Sequence, residues 1–332
     1  MTQPRRALPQ LRGNLFLTDG GLETSLIFLD GLDIPDFAVF PLLEDLAGRA
    51  ALEGYFRGYA DLAERFHTGL VLETPTWRAN PDWGRKLGNS PGELAASNRA
   101  GVELLREIRD ARPTIHDFVI SGCLGPRGDG YVPASRMSAE EAERYHGWQI
   151  GIFATTAADM VTAITMNYTA EAIGIAKAAR AAAMPVVISF TVETNGRLPA
   201  GHSLRSAIEA VDAATNGYPD YFMINCAHPS HFESVLEGGA EWTSRIRGLR
   251  ANASRMSHAE LDASSALDAG DPADLGARYA QLVQQFPALN VLGGCCGTDH
   301  RHVEQIARAC LPAFATRRGT ARAAGASRNA TT

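Results

Sequence analysis

Short runs of apolar and β-branched residues recur eight times along the chain, and most are followed by a stretch of helical period. The first five occupy residues 14–19 (NLFLTD), 69–74 (GLVLET), 117–122 (DFVISG), 159–165 and 185–191 (PVVISFT). The last three occupy residues 220–226 (DYFMINC), 246–252 (IRGLRAN) and 289–295 (LNVLGGC). The runs are nearly continuous in apolarity rather than alternating, as in parallel strands covered on both faces. Between them, residues 48–67 place Leu52, Tyr55, Phe56, Tyr59, Leu62, Ala63 and Phe66 at helical spacing. Residues 138–157 open on Ser138 with Glu141 three positions on, a capping-box pattern. Residues 272–286 open on Pro272 and carry Leu275, Tyr279, Leu282, Val283 and Phe286. Eight alternations of this kind predict a single-domain (β/α)8 TIM barrel rather than an open doubly wound sheet. No G-x-G-x-x-G follows the first run, so a dinucleotide site is not indicated there.

The barrel is expected over residues 13–314, after a flexible N-terminus at 1–12. Residues 315–332 are rich in Ala, Arg, Gly, Ser and Thr without apolar period and read as a disordered tail, with Arg317, Arg318, Arg322 and Arg328 solvated. At 332 residues, the chain can bury one large core. Its net charge of −6 argues against nucleic acid as an obligatory partner. No apolar segment follows Arg5 and Arg6, and nothing approaches the ~18 consecutive apolar residues of a membrane helix. A cytoplasmic protein without membrane attachment is therefore expected, and assembly into a homo-oligomer stays open. In a reducing compartment, five cysteines point to metal or catalysis rather than to disulfides.

In such a barrel, chemistry gathers where the strands end. The first run ends in Asp19-Gly20-Gly21-Leu22-Glu23-Thr24, the second in Glu73-Thr74, the third in Gly122-Cys123. The sixth ends in Asn225-Cys226 and the eighth in Gly293-Gly294-Cys295-Cys296-Gly297-Thr298. Neighbouring side chains on a regular strand face opposite ways, so Cys295 and Cys296 can share a site only if the backbone bends. The flanking glycines permit such a bend. With Cys226 two strands away, three sulfurs could then meet at the mouth, a soft ligand set for Zn2+ with a fourth position open to substrate. Cys310 falls in the last helical stretch and reads as packing.

The Asp-Gly-Gly, Asn-Cys and Gly-Gly-Cys-Cys-Gly-Thr strings, together with Asn252 after the seventh run, resemble those of the homocysteine S-methyltransferase family. The resemblance covers about residues 14–312. It implies a (β/α)8 barrel holding zinc on Cys226, Cys295 and Cys296, with an acceptor thiol taking the open position and attacking a small methylated onium donor. It implies a substrate site around Asp19, Gly20, Gly21, Glu23, Glu73, Thr74, Asn225 and Asn252, and small-molecule partners, homocysteine first among the thiols. Family members carry a Glu-Thr pair at the end of the fourth strand, where the glutamate holds the amino group of homocysteine. Here the string is Ala163-Ile164-Thr165, and isoleucine cannot balance an ammonium. Glu23, Glu73 or Glu193 is the candidate substitute. A different thiol, an unusual donor, or a non-catalytic zinc- or ligand-binding barrel are the competing readings; a zinc hydrolase is weaker, since thiolate ligation suits thiol activation better than water. Trp77, Trp83, Tyr131 and Tyr168 are candidates to cage an onium group.

Overall fold

In a computed structural model the described residues run from 7 to 329, with side chains described as far as Arg317. All eight runs are strands: β1 (Phe16–Leu17), β2 (Gly69–Glu73), β3 (Phe118–Leu124), β4 (Met160–Met166), β5 (Val186–Phe190), β6 (Tyr221–Asn225), β7 (Ile246–Ala251) and β8 (Val291–Gly294). They pair in chain order, all parallel, and β8 closes on β1 through Phe16↔Val291 and Leu17↔Leu292. Closure removes every sheet edge and leaves the strands buried on both faces, which is why their sequences read as unbroken apolar runs.

The helices begin where local chemistry satisfies their free amides. Asp45 caps Leu46–Phe66 by accepting from Gly48 N at 2.8 Å, and that helix ends at His67 in the left-handed region, φ 51°. Ser138 and Glu141 form the expected capping box of Ala139–Phe153, and Ser90 with Glu93 forms another on Pro91–Asp110. Caps of this kind contribute about 1 kcal/mol each. Leucine, isoleucine and phenylalanine side chains from helix and strand fill the layer between them, among them Phe56, Leu104, Phe153 and Ile175. Among the described residues no helix is long and apolar enough to cross a membrane.

Two segments at the ends of the barrel carry regular structure among the described residues. The segment read as a flexible arm includes a short 3-10 helix, Pro9–Arg12, that folds across the N-terminal end of the barrel. Gln10 is fully buried there; its Nε2 donates to Tyr221 Oη at 3.3 Å, and its carbonyl accepts from Asn290 Nδ2 at 2.8 Å. Leu8 packs with Phe16, Val71, Val119, Val187 and Val291 in the barrel interior. At the other terminus the last helix, His300–Asn329, continues through the stretch read as a tail, and Arg317 donates to the carbonyls of Val283 and Pro287. Residues 1–6 and 330–332, and the side chains of Arg318, Arg322 and Arg328, lie outside the described residues.

Candidate metal and substrate site

The three cysteines reach one point by two different departures from strand geometry. β8 stops at Gly294, and residues 295–298 make a turn closed by Thr298 N donating to Cys295 O at 3.0 Å. Gly297 sits at its third position with φ 77°, the value a type II turn demands there. The turn frees Cys295 and Cys296 from strand alternation. Gly293 and Gly294 have another role than the expected flexibility: a Cβ on them would lie 1.9 Å from Thr18 Oγ1 and 2.0 Å from Thr298 Oγ1. Gly293 lets β8 pack against the residues that follow β1, and Gly294 lets Thr298 of the turn fold back onto β8.

Cys226 follows the last residue of β6 and adopts φ 52°. Thr165, at the irregular pairing of β4 with β5, has φ 64°. Non-glycine residues in this region are strained, the β-branched threonine most of all, by ~1–3 kcal/mol each. Asn225 braces both ends. Its Oδ1 accepts from Thr165 N at 3.0 Å and Ser189 Oγ at 2.6 Å, while its Nδ2 donates to Thr165 Oγ1 at 2.8 Å. Cys226 is fixed by its own amide, bonded to Arg250 O at 3.1 Å, and by its carbonyl, 2.5 Å from His258 Nε2. The result brings the sulfurs of Cys226, Cys295 and Cys296 within 4.8 Å of one another, with Cys226 and Cys295 2.6 Å apart. Hydrogen bonds from the Cys295 and Cys296 thiols hold Cys226 well below the usual thiol range, and the same bonds to Cys226 hold Cys295 and Cys296 well above it.

The cysteines line a cavity of about 350 Å³ at the C-terminal mouth of the barrel. Of the other expected site residues, Asp19, Gly20, Gly21, Glu23, Glu73, Thr74 and Asn252 also line it. Asn225 does not; it is fully buried behind Cys226, with both amide atoms bonded as above. Thr74 Oγ1 accepts from Cys123 N at 2.9 Å, and Asn252 Oδ1 is buried without a hydrogen-bond partner. Cys123 lines the cavity outside the sulfur cluster, and Cys310 is fully buried in the last helix.

Arg250, on β7, organises the wall beside the cysteines and escaped the sequence reading. Its Nη2 pairs with Asp19 Oδ1 at 2.8 Å and donates to Gly20 O at 3.0 Å. Its Nη1 pairs closely with Glu73, and Nε donates to Gly294 O at 3.0 Å. Burial alone would lower its pKa, but Asp19 and Glu73 outweigh that and hold it well above the usual guanidinium range. An arginine inside an apolar run was the available signal.

Of the three carboxylates offered as substitutes for the absent glutamate, Glu73 is therefore engaged by Arg250. Glu193 lies 3.4 Å from His258 Nδ1 and does not line the cavity. Glu23, in the first turn of the helix Leu22–Phe28, lines the cavity and has no ion-pair partner among the described residues. Burial pushes its carboxyl up to about 7, and the nearby Cys226 and Asp19 act in the same direction. Ile164 is buried in the cavity wall, its carbonyl 3.3 Å from Trp77 Nε1. Trp77 and Tyr131 line the cavity; Trp83 is instead covered by Arg78 and Lys86, and Tyr168 accepts from Met137 N.

The family model described as homocysteine S-methyltransferase matches residues 16–310. The methionine synthases of Mycobacterium leprae and Mycobacterium tuberculosis are each 31% identical over 133 residues, 38% of this chain and 10% of theirs. The match thus spans about a tenth of those relatives' length. Among solved structures, the metallated form of the homocysteine methyltransferase MmuM from Escherichia coli superposes with a TM-score of 0.70 at 18% identity, covering 92% of this chain and 99% of that one. Its oxidized form gives 0.71 at 20% identity with the same coverage.

Proposed function

This chain belongs to the homocysteine S-methyltransferase family, and from that premise we propose that it moves a methyl group from a small onium donor to the sulfur of a small thiol, homocysteine first, with zinc on Cys226, Cys295 and Cys296. The observation that carries the proposal is the convergence of three sulfurs from two strand ends on one wall of an open cavity. The donor set fits the ion: three soft ligands close enough for Zn–S bonds of ~2.3 Å, beside space for a fourth. When bound, zinc supplies a Lewis acid that keeps a coordinated thiol deprotonated near neutral pH.

The chain's own residues position the partners. The S–CH3 bond forms as the donor's bond to that methyl breaks, its electron pair staying on the donor heteroatom, and the thiol proton passes to solvent. No side chain has to remove a proton from carbon, so alignment dominates. Arg250 keeps Asp19 and Glu73 in place around the turn that carries Cys295. Glu23 takes the role that Ile164 cannot, holding the ammonium of homocysteine. A reducing cytoplasm would keep the three thiols available.

The test is a matrix of thiols and methyl donors on zinc-loaded protein, read by mass spectrometry. Homocysteine is expected to outperform butane-1-thiol, which lacks both head groups, and 4-mercaptobutanoate, which lacks only the amine. Glu23→Gln should reduce kcat/KM for homocysteine by about 10- to 100-fold, the worth of a charged hydrogen bond, and leave 4-mercaptobutanoate nearly unchanged. Because burial raises Glu23 to about 7, the ratio of homocysteine to 4-mercaptobutanoate should climb as pH rises through that value, where Glu23 gains its charge. In Glu23→Gln the ratio should stay flat. An unchanged ratio in the variant would remove Glu23 from that role, whereas an amine-free thiol that matches or beats homocysteine in the wild type would make it the acceptor, the reading that Ile164 favours. No methyl transfer to any thiol, with zinc fully loaded, would leave a non-catalytic zinc barrel.

A further inference from the structure

We propose that Arg78 is a carboxylate-recognition residue: a buried guanidinium in the cavity wall that selects a substrate bearing an anionic group. The proposal rests on the methyl-transfer reading for its substrates, but its binding test does not require turnover. Arg78 is 6% exposed and lines the cavity with the sulfur cluster. Its Cζ lies 4.1 Å from the Trp77 ring centroid and 3.9 Å from that of Trp83. The two indoles offset part of its desolvation through cation–π attraction, but they accept no N–H in the guanidinium plane.

Its hydrogen bonding is incomplete. A guanidinium carries five N–H donors. Arg78 Nη1 donates to Gly128 O at 2.9 Å, while Nε is buried with no acceptor. Among the described residues it makes no ion pair. Asp129 is the strongest nearby negative influence, yet its Oδ1 accepts from the amides of Tyr131 and Val132 at 2.7 and 2.8 Å. The contrast lies within one molecule: buried Arg250 has two carboxylates and two carbonyls, whereas buried Arg78 has one carbonyl. A buried cation left this way destabilises the fold unless an anion arrives.

A carboxylate matches the planar fork, accepting two N–H groups at once. Glu23 is within electrostatic reach of Arg78. Together they present a negative and a positive group on one cavity, the complement of an α-amino acid head. That head can belong to the acceptor or to the donor.

Calorimetric titration of zinc-loaded protein distinguishes the sources. The acceptor pair is homocysteine and its decarboxylated counterpart 3-aminopropane-1-thiol; the donor pair is S-methylmethionine and its decarboxylated counterpart. In the wild type, loss of the carboxylate from one pair should weaken binding about 10- to 100-fold. In Arg78→Met that same pair should bind within about threefold of each other, with Arg78→Lys between, since an ammonium keeps the charge without the fork. The pair showing the effect identifies the source. The wild-type comparison needs no variant, so it stands even where Arg78→Met fails to fold. The proposal is overturned if both wild-type pairs bind within about threefold, or if discrimination survives in folded Arg78→Met. Discrimination without methyl transfer would leave Arg78 as assigned and remove the transfer reading. Failure of all four ligands to bind would remove both.

Discussion

Alanine in place of Cys226, Cys295 or Cys296 is expected to abolish stoichiometric zinc binding, from roughly one ion per chain to a small fraction of that. Groups that merely support a ligand are worth ~10- to 100-fold in metal affinity, so deleting one of three ligands should exceed about 100-fold. Methyl transfer should fall with it. The effect should be equal in kind for all three positions, because the turn at residues 295–298 and the left-handed residue 226 are built around the same point. Cys310→Ala is the control: that side chain is fully buried in the last helix, away from the cluster, and its loss should lower stability without touching metal content. Equilibrium dialysis measures the zinc, and cobalt substitution adds a thiolate charge-transfer band that shrinks with each sulfur removed. Triad variants that hold as much zinc as Cys310→Ala would show that the ligands lie elsewhere.

The second large effect is expected at Arg250. Arg250→Met leaves Asp19 and Glu73 buried without their common partner, and breaking a buried pair of this kind costs ~3–5 kcal/mol. The sign with pH follows from proton uptake. Burial already raises Asp19, and raises Glu73 to about 7, above the ~3.9 and ~4.3 of an unfolded chain, and without the guanidinium both should titrate higher still. The folded variant then binds more protons than its unfolded chain, so its stability falls as pH rises through that interval. The deficit relative to the wild type should be largest near pH 8 and shrink towards pH 5, where protons neutralise the carboxylates. Urea unfolding at both pH values measures it. A variant within about 1 kcal/mol of the wild type at pH 8 would mean that the ion pairs contribute little net stability.

These two sites differ in how far the sequence disclosed them. The barrel was legible because each buried strand leaves its own apolar run, and closure of eight of them needs no further information. The sulfur cluster was legible because Asn225-Cys226 and the glycine-flanked Cys295-Cys296 are locally unusual and sit at strand ends. Arg250 was not, because its meaning depends on Asp19 and Glu73, partners 231 and 177 positions away in the chain. Arg78 carries no signal beside Trp77 in the sequence, because only the folded loop brings Trp83 against it as well. Asn225 resembled a substrate ligand in sequence; in the fold its amide is bound to Thr165 and Ser189, a pairing that strand order alone does not reveal. The arm before β1 lacked an apolar period because one glutamine and one leucine suffice to fill the space beneath the barrel.

That filling has a kinetic consequence. Among the described residues, Gln10, Leu8 and the side chains above them fill the N-terminal end of the barrel, and the cavity opens at the mouth that holds the sulfur cluster. Two substrates that meet there cannot enter from opposite ends. On the proposed reading, the thiol bound against the cysteines is expected to load first with the methyl donor above it, and the demethylated donor to leave before the methylated thiol. Such traffic is sequential and ordered: the thiol product should be competitive with the acceptor thiol and noncompetitive with the donor in product-inhibition kinetics, and a random pattern would mean that the doorway is wide enough for the two to pass each other.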